Sequence, residues 1–265
     1  GSSTIFNVTG DNVVLSNITI ENVNGEENGA VVWSGNNGTI ANTTFANNTA
    51  PTGGAITITG NGTTIADSTF TGNNATTGGA VVIEGNNATI EGSTFTGNNA
   101  EGEGAGIYSS GNGTTIKDTE FAGNDAGTGA GAVLNGDNAK VENATFTQNN
   151  AETGAGVVIG GNNATVADST FANNTAETGA GVVSEGTNTT ISGSEFTGNN
   201  ATTGAGAVLN GANATVAGSE FTGNEAVNGA GIVTTGNNTK VEDTKFTNNT
   251  AETGAGVLSE GSNTT

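Results

Sequence analysis

Apolar residues along this chain fall in short clusters separated by Gly, Asn and Thr, and the clusters return with a fixed period. Phe recurs at Phe45, Phe70, Phe95, Phe121, Phe146, Phe171, Phe196, Phe221 and Phe246, with 25 residues per step except for 26 between Phe95 and Phe121. Counting each Phe as position 0, position 3 is Asn throughout: Asn48, Asn73, Asn98, Asn124, Asn149, Asn174, Asn199, Asn224 and Asn249. Position 8 is Gly, position 11 is small or aliphatic, position 15 is Gly and position 20 is Ile or Val. The pattern extends backwards, with Ile20 in the Phe place and Leu15 and Gly10 before it.

No 3.6-residue stripe persists, and Gly with β-branched Thr, Val and Ile dominates, so the period is not helical. Short alternating runs bounded by Gly and Asn predict strands and turns. Each repeat holds three: residues 80–84 (AVVIE), 88–91 (ATIE) and 93–95 (STF). In the second, Ile90 faces inward between Thr89 and Glu91; in the third, Ser93 and Phe95 face inward around Thr94. In the first, positions 11 and 13 are assigned inward, although Ser109, Ser184 and Ser259 place hydroxyls at position 13 without an evident reason.

Three short strands and three corners make one coil of a parallel β-helix, a single-stranded all-β solenoid. About ten coils, each rising ~4.8 Å, give a rod of roughly 50 Å. One coil cannot bury a core alone, so stacking must align the Phe residues in an internal column. The inward Asn is expected to pair with backbone and with its equivalent one coil away, and the position-15 Gly to supply positive φ or close corner packing. The expected organisation is one solenoid domain over 1–265. Residues 1–19 form an irregular or partial first coil, 20–245 the regular repeats and 246–265 a partial last coil. The extra residue near 99–103 reads as a small loop insertion.

Composition narrows the partners. The formal charge of -21 comes from 25 Asp and Glu against 4 Lys. Such a field disfavours nucleic acid and anionic lipid. There is no Cys, hence no disulfide framework or thiolate metal site. No apolar run approaches the ~18 residues of a membrane span, and no signal peptide is read. The chain lacks Met and opens GSS, which suggests a processed or excised product with a cloning remnant.

Outward positions supply the candidate chemistry. Thr39, Thr64, Thr89, Thr115, Thr165, Thr190 and Thr215 form a surface file at position 19, interrupted by Lys140 and Lys240. An ice-binding face is one reading of it; ordinary strand preference for Thr is the other. Glu91, Lys117 and Glu142 alternate in sign at position 21, while Glu195 and Glu220 adjoin at position 24, where a surface Ca2+ could bridge them. No other cofactor is expected. Asn37, Asn61, Asn87, Asn163, Asn188 and Asn213 begin Asn-x-Thr glycosylation acceptors, in a chain where both residues are common. Asp67, Asp118, Asp168 and Asp243 share position 22, but Gly92 and Asn143 replace them in other coils, as at a tolerant surface corner. With no His or Arg, and with the position-22 carboxylates scattered among Gly and Asn, a polysaccharide lyase or hydrolase is disfavoured, and the expectation is that the chain is not an enzyme.

Phe-x-x-Asn alternating with Gly-Gly-Ala-aliphatic, as in FANN (45–48), FTGN (70–73), FTQN (146–149), GGAI (53–56) and GGAV (78–81), resembles the repeats of chlamydial polymorphic outer-membrane proteins. It also resembles related adhesin-like β-helical proteins of bacteria and methanogenic archaea. From Gly104 the second motif departs to Gly-Ala-Gly, as in GAGV (154–157). The resemblance, with the usual crossover rule, implies right-handed winding. It also implies an extracellular or cell-surface passenger, often adhesive. The expected function is therefore a non-catalytic structural solenoid of a surface fibre, sheath or adhesin stalk. Expected partners are other copies stacked end to end, or a cell-surface glycan or protein. An adhesin passenger with a specific ligand, or a designed consensus solenoid without biological function, are the alternatives.

Overall fold

The structure, a computed structural model, describes residues 4–265; residues 1–3, the start of the expected partial first coil, lie outside the described residues. The chain winds as a right-handed parallel β-solenoid of about ten turns. Every strand pairs with its equivalent one coil away, which generates long sheets from very short strands. The first sheet has 11 strands, from Phe6–Val8 to Val257–Ser259. The second and third have 10 each, running from Val14–Ser16 to Lys240–Glu242 and from Thr19–Glu21 to Lys245–Thr247. In the coil read above, the three predicted strands are Val81–Ile83, Thr89–Glu91 and Thr94–Thr96.

A fourth sheet of 7 strands, Asn74–Thr77 to Glu225–Asn228, was not read from the sequence. Its strands, such as Asn150–Thr153, bury only one Ala among polar neighbours and so carry little apolar pattern. The extra residue between Phe95 and Phe121 falls in this sheet. It does not loop out: Asn99–Glu103 becomes a five-residue strand, and pairing shifts between Ala100 and Glu103. This is a β-bulge. Gly127 stands beside it without a side chain, where other coils carry Glu152, Glu177 or Thr202.

The corners are written in left-handed backbone. Positions 2, 17 and 22 have positive φ in coil after coil, as at Gln148 (φ 55), Asn163 (φ 57) and Asp168 (φ 50). Asn, Asp and Gly tolerate that region best, which is why these positions draw on so few residue types. Position 22 is thus a conformational requirement, and the interchange of Asp118, Asn143 and Gly193 there follows from it. Position 8 holds the positive-φ Gly, for example Gly154 (φ 63). The position-15 Gly does not have positive φ; a Cβ on Gly161 would run into the backbone of Gly136 one coil away, so close packing is its reason.

Three apolar columns run through the rod. The main core contains the Phe column, position 20 (Ile90, Ile116, Val141) and position 11 (Val81, Ile107, Val157). A second cluster is built only of Ala, pairing Ala151 with Ala155 and Ala176 with Ala180 in successive coils. The change from Gly-Gly-Ala to Gly-Ala-Gly moves one methyl between them: Ala55 and Ala80 belong to the main core, Ala105 and Ala130 to the second. The Gly left behind lets a ring approach, since a Cβ on Gly131 would meet Phe146. Position 12, which the inward assignment of positions 11 and 13 leaves on the other face, forms a third cluster of Val133, Val158, Val183, Val208 and Val233. These side chains leave the opposite face of the first sheet, and the position-8 Gly lies against them, as Gly154 does on Val158.

The hydroxyls at position 13 now have partners. Ser109 meets Thr114, Ser184 meets Thr189 and Thr234 meets Thr239, each pair 2.7 Å apart and buried. The Thr hydroxyls also reach carbonyls, Thr189 donating to Gly186 O at 3.2 Å. Where position 13 is aliphatic, position 18 is Ala, as in Ile83 with Ala88, Leu134 with Ala139 and Ile159 with Ala164. Trp33 has Gly38 in that place, its indole nitrogen directly against the Gly. Val8 with Val13 and Ile58 with Thr63 break the rule, and the Thr63 hydroxyl is buried without a partner.

Candidate functional site

The most regular chemistry lies inside the rod. Phe45 to Phe246 stack with centroids 4.9 Å apart for Phe45–Phe70, 4.5 Å for Phe196–Phe221 and 5.2 Å for Phe221–Phe246. Phe45, Phe70, Phe95, Phe121, Phe146, Phe171, Phe196 and Phe221 are fully buried; Phe246, in the last coil, is half-buried. Ile20 extends the column at its start, paired with Phe45.

Beside it runs the Asn column. Asn149 Nδ2 donates to Phe121 O at 3.0 Å and to Asn174 Oδ1 at 3.1 Å, while Asn149 Oδ1 accepts from Asn124 N and Nδ2, both at 3.0 Å. The same bonds recur at Asn48, Asn73, Asn98, Asn124, Asn174, Asn199 and Asn224, and Asn249 closes the series with a 2.8 Å bond to Phe221 O. Each carboxamide therefore satisfies the corner backbone and links two coils.

A second amide ladder, missed in the sequence, lies outside at position 16. Asp11 Oδ1 accepts from Asn36 N at 2.7 Å, Asn36 Oδ1 from Asn61 N at 3.0 Å and Asn61 Oδ1 from Asn86 N at 2.8 Å. The recurrence of Asn or Asp at that position was the available signal.

The acceptor residues Asn37, Asn61, Asn87, Asn163, Asn188 and Asn213 are all exposed. Asn61 belongs to the position-16 ladder, and the other five occupy the positive-φ corner at position 17. Asn188 Nδ2 donates to Asn163 Oδ1 at 3.0 Å and Asn213 Nδ2 to Asn188 Oδ1 at 3.1 Å. Thr39, Thr64, Thr89, Thr115, Thr165, Thr190 and Thr215 do form one file on the second sheet. The parallel file at position 21 is mixed, running Ala41, Ala66, Glu91, Lys117, Glu142 and Ala167.

Three of the lysines pair with neighbouring carboxylates on the outer faces. Lys117 Nζ lies 2.6 Å from Glu91, whose carboxylate raises the lysine pKa. Lys240 pairs with Glu242 at 2.7 Å. Glu195 and Glu220 are register neighbours, but Glu220 is 2.8 Å from Lys245 and Glu195 accepts from Thr197 at 2.9 Å. Lys245, and then the Thr222 hydroxyl, hold the Glu220 carboxyl below its ordinary range. Among the described residues no group of three or more His, Cys, Asp or Glu could hold a metal ion, and no helix is long and apolar enough to cross a membrane.

A surface concavity of about 510 Å3 follows the outer face of the fourth sheet. Ala100, Ala126, Ala151 and Ala176 form its floor, with Glu101, Asp125, Glu152 and Glu177 on its walls.

Neither a curated protein nor a solved structure matches the chain. The family described as the right handed beta helix region matches residues 53–221 and, in a second overlapping register, 130–265. Parallel one-coil pairing, stacked inward columns and this match over most of the chain agree, and the protein belongs to the right-handed β-helix family.

Proposed function

We propose that the chain is a non-catalytic structural element, a stiff acidic rod within an extracellular fibre, sheath or adhesin stalk. The observation that carries this reading is the unbroken stacking of the Phe and Asn columns from Phe45 to Phe246. Among the described residues the Phe and Asn columns continue through every coil from Phe45, and the inserted residue at Glu101–Glu103 is absorbed within a sheet. Load along the axis is shared by four parallel ladders and two carboxamide ladders. The acidic exterior keeps rods soluble and apart.

Its partners in this reading are further coils, or a cell-surface glycan or protein reached from the lateral faces. The terminal strands Phe6–Val8 and Val257–Ser259 each leave one edge unpaired within the described residues, open to a further coil of the same kind. Negative-stain imaging with sedimentation at several concentrations tests the proposal. Uniform straight rods, single or joined, are the expected result. Compact particles, or measurable turnover of polysaccharides by the folded protein, would refute it.

A further inference from the structure

The rod is not uniform along its length. The Ala cluster begins at Ala100 and the outer Val cluster at Tyr108. Coils before that point join neither cluster: Ala50, Ala75 and Val82 are buried singly at the same positions, and Thr57 interrupts the position-12 file between Val32 and Val82. Among the described residues, both buried side-chain polar atoms without a partner, Trp33 Nε1 and Thr63 Oγ1, also lie before it. The fourth side starts as isolated bridges at Asn24, Asn28, Thr49 and Thr52 and ends as isolated bridges at Thr250 and Thr253, but Pro51 interrupts it only at the N-terminal end.

The division coincides with the bulge. Asn99–Glu103 pairs with shifted register on both sides, and the ring planes of Phe95 and Phe121 tilt by 10°, against 3° for Phe70–Phe95 and 2° for Phe121–Phe146. In a solenoid each coil contacts only its neighbours, so stability is a sum of coil terms and interface terms. Here the coils that lack the two outer clusters and hold the unpartnered polar atoms end at the irregular interface.

We infer that the chain contains a built-in yield point. The coils up to Thr96 open as one cooperative unit at lower free energy than the coils from Ile107 onward, and the bulge is the boundary. This holds whether or not the rod bears load. Under axial tension the N-terminal segment would detach first while the remainder stays wound.

Native-state hydrogen exchange on the full chain tests it, comparing strands equidistant from the two ends. Ile56–Ile58 is set against Ala207–Leu209, and Val81–Ile83 against Val182–Ser184. The N-terminal member of each pair should exchange faster by roughly tenfold or more, with the step between Thr96 and Ile107. Equal protection within both pairs, or a smooth decline from both ends, overturns the inference. Urea unfolding supplies a second readout, since Trp33, the only Trp, reports the N-terminal segment. Its fluorescence midpoint should precede the circular-dichroism midpoint, and coincident transitions would overturn the two-segment reading.

Discussion

Ser184 and Thr189 allow the coupling of positions 13 and 18 to be measured. Their hydroxyls are 2.7 Å apart and buried; Thr189 also donates to Gly186 O at 3.2 Å, whereas Ser184 reaches that carbonyl only at 3.5 Å. Thr189→Ala alone leaves the Ser184 hydroxyl without a good partner, a cost of about 1–3 kcal/mol. Ser184→Ile alone forces a larger side chain against the retained Thr189, which costs a further ~1–3 kcal/mol. The double substitution reproduces the combination already present at Ile159 and Ala164, in a column where Ser184 lies between Ile159 and Leu209. Its stability should fall within about 1 kcal/mol of the natural chain, so the coupling energy should reach ~2 kcal/mol or more. Long repeat arrays need not unfold in two states. The readout is therefore the exchange free energy of amides in Val157–Ile159, Val182–Ser184 and Ala207–Leu209, backed by urea midpoints. A double variant that loses the sum of the two single losses would refute the account of this pair and of its equivalents.

Asn149→Ala removes the acceptor of Asn124 N and the donor to Phe121 O; a loss of about 3–5 kcal/mol in local exchange stability is expected from several stranded groups. Asn249→Ala, in the half-buried last coil where water can substitute, should lose less than half as much by the same measurement. Thr63→Ala deletes a buried hydroxyl without a partner and should stabilise the coils around it by ~1 kcal/mol, seen as a higher urea midpoint by Trp33 fluorescence. Glu220, held below its ordinary range by Lys245, contributes stability that is present above the unfolded glutamate pKa and lost as pH falls through the lower folded value. Carbon-detected NMR titration should find its midpoint below the ordinary glutamate value, and Lys245→Gln should move it upward.

The sequence made the coil legible because inward positions repeat at one spacing: Phe121, Asn124 and Val141 needed only alignment with their own copies. Strand orientation was readable at Ile90 and Phe95, where apolar and polar residues alternate. The fourth strand was not, since Ala151 is its only buried side chain and Asn150, Glu152 and Thr153 look like loop. The outer Val cluster was obscured for a different reason, because alternation predicts which face a side chain leaves and not whether another part of the coil covers it. Coupled choices such as Ser184 with Thr189 were visible in the letters but had no meaning before the two positions were known to touch. The outer faces remain the least informative part, because Thr, Asn and Glu at solvent-facing strand positions satisfy the fold without specifying a ligand.

Bulging at Gly102 shows where this architecture can take extra length. Ile107 still pairs with Val81, Ile116 with Ile90 and Phe121 with Phe95, so one added residue is confined to one side of the rod. A short peptide spliced beside Gly102 would consequently leave the winding intact and emerge above the Ala-floored groove. The fold thereby offers a permissive seam, and an epitope displayed there would be held at a known height and azimuth on the wound rod.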